Sequence, residues 1–155
     1  MSSNIPAEFS IARSEFIDAH NHADQSVRER LAVLKIASKT LLAQNIEALR
    51  KTPAAPSYSK SEKARVDGLL DELVELNGIR CDIVHSRMQV LQVNQVANAF
   101  FANVQDQQKL GRTGLLLTLN ELRCCTNTLG RIAREISKLE QKPHAASAVS
   151  KTTAS

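Results

Sequence analysis

The strongest constraint on this chain is a long apolar repeat with nothing in it to stop a helix. Phe16, His20, Ala23, Val27, Leu31, Leu34, Ser38, Leu41, Asn45 and Leu49 recur at three- and four-residue spacing, and residues 14–50 contain no Gly or Pro. Side chains at that spacing share one helical face. The pattern therefore predicts one long helix over 14–50, straight or kinked, about 55 Å in length at 1.5 Å per residue. Such a helix exceeds what a small bundle needs, so it protrudes or packs against a second copy, and the expected assembly is a homodimer through the long helices. Residues 1–10, with Pro6, read as a loose lead-in.

The remainder alternates punctuation and periodicity. Residues 51–59, K-T-P-A-A-P-S-Y-S, form a Pro/Ser/Ala loop. Ser59 and Glu62 have capping-box spacing, which starts a second helix running to His85 or Ser86. Val66, Leu69, Leu70, Leu73 and Leu76 make its stripe, weakened by Gly68 and Gly78. Residues 88–93 and 98–104 are short, β-branched or aromatic, and read as a small hairpin with a turn at 94–97; continuing helix is the rival. Residues 105–112 are a polar connector, and 114–117 add a third short strand. Thr118 and Glu121 repeat the capping-box spacing. Leu122, Cys125, Leu129, Ile132, Ile136 and Leu139 then form a clean seam for packing on another helix. Pro143 ends that helix. The expected fold is mainly α: a helical bundle with a long N-terminal helix, a middle helix and a C-terminal helix, plus a β-hairpin insertion near 88–117. It forms a single domain over 1–142, with a disordered tail at 143–155.

Composition narrows the function classes. The chain has 155 residues, 43% hydrophobic and 23% charged, enough for one domain with a real core. It shows no basic–apolar leader and no apolar run near the 18 residues a membrane span needs, so a cytoplasmic protein with no membrane partner is expected. Three cysteines without framework spacing (Cys81, Cys124, Cys125) fit reduced thiols. Residues 83–155 carry 9 Lys/Arg against 4 Asp/Glu, whereas 1–82 carry 11 against 12. A basic second half suits a polyanion such as RNA, and equally a solvated basic face with a cationic tail. Aromatics make up only 3% of residues, which argues against base-stacking platforms.

The stretch 77–87, N-G-I-R-C-D-I-V-H-S-R, is the unusual one. It continues the apolar stripe of the second helix through Asn77, Arg80 and Val84, and a buried unpaired arginine is strongly disfavoured. One reading is structural: Arg80 pairs with Glu29 or Asp24 on the long helix, and His85 caps the helix C-terminus. The other is chemical. Residues 79–86, I-R-C-D-I-V-H-S, resemble the signature of the HEPN superfamily, an Arg and a His separated by four to six residues near the end of a core helix. The order of elements agrees over roughly 14–140. Spacing alone carries little: 11 Arg and 4 His in 155 residues give such a match by chance about once. Arg13 and His20 match it too. The I-V-H-S context and the place of Arg80 in an apolar stripe set the second match apart.

The resemblance implies a small helical protein of a group rich in ribonucleases and toxins, working without metal or cofactor as a dimer with two motifs facing one another. Arg80 would hold the scissile phosphate and its developing charge, and His85 would move protons to or from the 2′-hydroxyl or the leaving oxygen. A protein neutraliser belongs to the toxin reading. Asp82 would orient the His85 ring, and Asn77 and Ser86 would add hydrogen bonds to a phosphate. Many catalytic members carry a polar residue, often Asn, directly after the Arg, where this chain has Cys81. Arg80 and His85, five residues apart, sit about 140° apart on an ideal helix. They meet at one phosphate only if the helix end unwinds or a second subunit supplies half the site. A non-catalytic interaction module built on the same scaffold is the alternative. Cys81 and His85 make at most half a zinc site, Cys124 and Cys125 point apart, and His20 and His22 do not converge, so no metal is expected.

Overall fold

The computed structural model of the chain describes residues 4–103 and 114–138. In these, four helices and three strands follow in the order α1 (Ile5–Val33), α2 (Leu42–Lys51), α3 (Lys60–His85), β1 (Ser86–Val93), β2 (Val96–Asn103), β3 (Leu115–Thr118) and α4 (Leu119–Lys138). The fold is mainly α with a small antiparallel sheet, as the periodicities predict. The 105–112 connector, Leu139 of the seam and the 143–155 tail lie outside the described residues.

The long helix differs from expectation at both ends. It begins at Ile5, not near Ser14: the Asn4 side chain accepts from the Ala7 amide, and Pro6 sits in the first turn, where its missing N–H costs nothing. Phe9, expected in a loose lead-in, is fully buried.

The other end is a true break. Residues 34–41 leave the helix, and α2 starts afresh. Lys35 takes a left-handed conformation with φ of 59°. Its amide donates to Ala32 O at 2.9 Å, and the Ile36 amide donates to Leu31 O at 2.8 Å. This paired closure is a Schellman motif, reached here without the usual glycine. Tertiary contacts offset the strain. Asn45 is fully buried, accepting from the Lys39 amide at 2.6 Å and donating to the Lys39 carbonyl at 3.1 Å. Arg28 pairs with Asp24 and donates to the Thr40 carbonyl at 2.9 Å. Thus Ser38 and Asn45, which continue the repeat in the sequence, are a loop residue and a loop staple. With 29 residues, α1 is close to the 26 of α3, so its length no longer demands a second copy.

The core fills the space between helices. Phe16, Val27 and Leu31 of α1 meet Leu122, Leu129, Ile132 and Ile136 of α4, with Val66, Leu70 and Leu73 of α3 completing the cluster. α1 packs chiefly along α4, and α2 packs on both α1 and α3. Ion pairs Arg50–Asp71, Arg65–Glu135 and Arg131–Glu72 tie α3 to α2 and α4; with at least one side chain of each pair well exposed, each adds at most about 1 kcal/mol. The loop before α3 contributes Tyr58, fully buried, with the Arg30 guanidinium 4.9 Å above its ring.

The sheet has strand order β1-β2-β3. β1 and β2 pair from Ser86 opposite Asn103 to Val93 opposite Val96. The turn is therefore two residues, Asn94 and Gln95, rather than 94–97. Both have positive φ, 50° and 66°, the combination whose twist matches paired strands. Ala99, Phe101 and Leu117 face the core, while Leu91, Val93, Val96 and Leu116 face outward.

Candidate functional site

Three elements meet around the C-terminal half of α3. The Ser59–Glu62 capping box fixes where α3 begins: Ser59 Oγ accepts from the Glu62 amide at 3.2 Å, and Glu62 accepts from the Ser59 amide at 3.1 Å. At the far end, Arg13 of α1 donates to the Ile83 carbonyl at 2.9 Å. That carbonyl is in the last turn, where the helix itself offers no donor. The end of α3 is therefore held against α1, with Asn77 and Arg80 beside His20.

There α1, α3 and the start of α2 enclose a cleft of about 340 Å³, whose lining includes His20, Asp24, Leu42, Ala43, Asn77 and Arg80. Among the described residues no carboxylate pairs with Arg80, and its Nε is buried without a hydrogen-bond partner. The partners expected for it are engaged elsewhere. Asp24 takes Arg28 through both carboxylate oxygens, at 3.0 and 3.3 Å, and Glu29 accepts from Gln25 at 2.9 Å. The structural reading of Arg80, a closed ion pair with α1, is not what is found.

His20 is the residue that sequence reasoning passed over. It is 4% exposed, and its Nε2 lies 3.1 Å from Asn77 Oδ1. An amide oxygen only accepts, so the ring proton belongs on Nε2, leaving a lone pair on Nδ1. Among the described residues Nδ1 has no partner. Burial first, and the Arg80 charge after it, push the His20 pKa below the ordinary 6.5, against the opposing pull of Asn77 and Asp24. Both effects favour the neutral form of the ring. Two signals for it stood in the sequence: its place in an apolar stripe, and the accidental Arg13–His20 match.

The other site candidates separate. His85 is the last residue of α3 and exposed, outside the cleft that Arg80 lines. Asp82 is fully buried, so it and the solvent-exposed His85 ring occupy different environments. Ser86 is buried at the start of β1, its Oγ without a partner among the described residues. Asn77 does reach the cleft, but its amide oxygen holds His20. Cys81 also lines the cleft. All three cysteines are free, and burial pushes the Cys125 thiol pKa up. Among the described residues no group of three His, Cys, Asp or Glu side chains could hold a metal ion, and no helix is long and apolar enough to cross a membrane.

The arrangement sets one cation and the opening turn of a helix around an open space, with the Asp24 carboxylate already held by Arg28, which is chemistry suited to an anion. No family model, no curated protein and no solved structure matches the chain.

Proposed function

We propose that this chain is a HEPN-type helical protein acting as a metal-independent endoribonuclease of toxin or defence type, working as a dimer in the cytoplasm under a protein neutraliser. The observation that carries the reading is Arg80, a half-buried arginine that lines an open cleft with no carboxylate partner among the described residues. A guanidinium kept in that state suits a phosphodiester. His85, exposed at the end of α3, is available to a facing protomer, so a two-fold pair would bring one chain's Arg80 and the other's His85 to one phosphate. In that reaction the 2′-oxygen attacks phosphorus while its proton passes to imidazole. The 5′-oxygen of the next nucleotide leaves with a proton, giving a 2′,3′-cyclic phosphate and a free 5′-hydroxyl. The basic second half of the chain favours the approach of RNA.

A specific observation favours a second reading, a non-catalytic interaction module. Among the described residues, the cleft lined by Arg80 does not include His85, and the outer sheet face leaves Leu91, Val93, Val96 and Leu116 exposed, an apolar surface suited to a protein partner.

The deciding experiment is cleavage of single-stranded and structured RNAs in EDTA by wild type, Arg80→Ala and His85→Ala, each shown folded and of equal oligomeric state. The nuclease reading expects cyclic-phosphate ends from wild type. Activity should drop roughly 10²–10³-fold in Arg80→Ala and roughly 10²–10⁴-fold in His85→Ala. Equal traces in all three, or none, would move the assignment to the interaction module.

A further inference from the structure

The start of α2 is chemically open. Leu41 occupies the N-cap position with an extended backbone, makes no side-chain cap, and no acidic residue lies in the first turn. The Gln44 and Asn45 amides reach back to the Leu41 carbonyl. The amides of Leu42 and Ala43 belong to the set a helix leaves without an internal acceptor. These two residues line the same cleft as Arg80 and His20. Uncapped amides, the positive end of the helix dipole and a guanidinium all favour an anion there. The cleft's acidic residue, Asp24, is held by Arg28. That same arginine fixes the Thr40 carbonyl at the rim, so the approach to α2 is set before anything binds. On the lining sits His20, more than nine-tenths buried, with Nδ1 unpartnered among the described residues.

We propose that this cleft is a phosphate-binding subsite complete within one protomer, in which the Leu42 and Ala43 amides and the Arg80 guanidinium hold the phosphate oxygens over the His20 imidazole, itself positioned by Asn77. The phosphate comes from the RNA backbone, and for that source alone the inference rests on the nuclease reading above. A volume of about 340 Å³ is within the range of small-ligand pockets. His20 is then a positioning residue that senses the bound charge, and α2 has a role that the Arg80–His85 spacing does not suggest.

The test follows backbone amide and imidazole NMR signals of the full chain during titration with inorganic phosphate. A dinucleotide carrying a 2′-deoxy sugar at its phosphodiester, and so resistant to cleavage, is titrated in parallel. The expected result is a saturable shift at the Leu42 and Ala43 amides, with the His20 ring pKa rising as the anion binds. Leu41→Asp places a carboxylate on those amides and caps the helix, so it should fold at least as well as wild type while losing the titration. Arg80→Gln should weaken binding about tenfold or more, and Arg80→Lys should restore part of it. Binding unchanged by Leu41→Asp or by Arg80→Gln, shifts scattered away from α2, or no saturation in wild type would each overturn the proposal. Binding of the dinucleotide assigns the anion to RNA; binding of inorganic phosphate alone keeps the subsite and removes RNA from it. The two readings fail separately. RNA cleavage undiminished in Leu41→Asp sinks the subsite alone, and a subsite that titrates in a chain without cleavage sinks the nuclease alone.

Discussion

The helix starts of this molecule fall into two kinds. α1, α3 and α4 open on side-chain caps from Asn4, Ser59 and Thr118, and in the last two a glutamate three residues on closes the box. α2 opens on Leu41 with no cap. The capped starts close their own amides within one turn and serve the scaffold. The uncapped one places its first residues, Leu42 and Ala43, on the lining of a cleft where an arginine also lacks a carboxylate partner among the described residues. Two unmet needs of the same sign in one place are more informative than either alone, because a helix start or a half-buried arginine is each common by itself.

Mutations can break or sharpen this contrast. The largest effect on stability is expected from Asn45→Ala, which removes the side chain holding the turn before α2 and leaves the Lys39 amide and carbonyl without their partner. About 2 kcal/mol of stability should be lost in denaturant titration, with phosphate binding lost alongside it. A loss of stability that left the α2 amides able to titrate would show that Asn45 does not position them.

Next come the caps themselves, with opposite signs. Ser59→Ala and Thr118→Ala should each destabilise by about 1 kcal/mol, whereas Leu41→Asp should raise stability by up to about 1 kcal/mol. Equal and neutral shifts at all three positions would erase the distinction between the two kinds of start.

The finest contrast lies in the acid limb of stability. His20 has a folded pKa below 6.5, so the unfolded chain takes up the proton first. Its contribution is complete above that value and is lost as pH falls through the folded value. Glu121, held low by the Thr118 amide and hydroxyl, behaves the same way starting from 4.5. Stability against pH should therefore decline in two windows. His20→Gln should flatten the upper one and Thr118→Ala the lower. A single unaltered acid transition in both variants would contradict the assignment.

What could be read in advance follows the range of the forces involved. A capping box needs four consecutive residues, and both boxes start helices where Ser59–Glu62 and Thr118–Glu121 place them. The α4 seam is a local period, and Leu122, Leu129, Ile132 and Ile136 are all buried. The hairpin was legible in its strands, though its turn is tighter than 94–97 suggested, because Asn94 and Gln95 both accept positive φ. The break after Val33 was not legible. Nothing in Leu34, Lys35 or Ile36 announces it, and the polar groups that stabilise it lie on Arg28 and Asn45. Arg80 stood out as a charge in an apolar stripe, but its neighbour did not: His20 is 57 residues away in sequence.

The sequence by itself determined the mainly helical class, the capping-box starts at Ser59 and Thr118, the short strands between them and the oddity of Arg80, since each rests on contacts within a few residues of chain. Only the tertiary structure decided where the first helix ends, that His20 rather than His85 lies beside Arg80, and that an uncapped helix faces them both. Those depend on which surfaces meet when the core closes, and burial joins residues without regard to their distance along the chain.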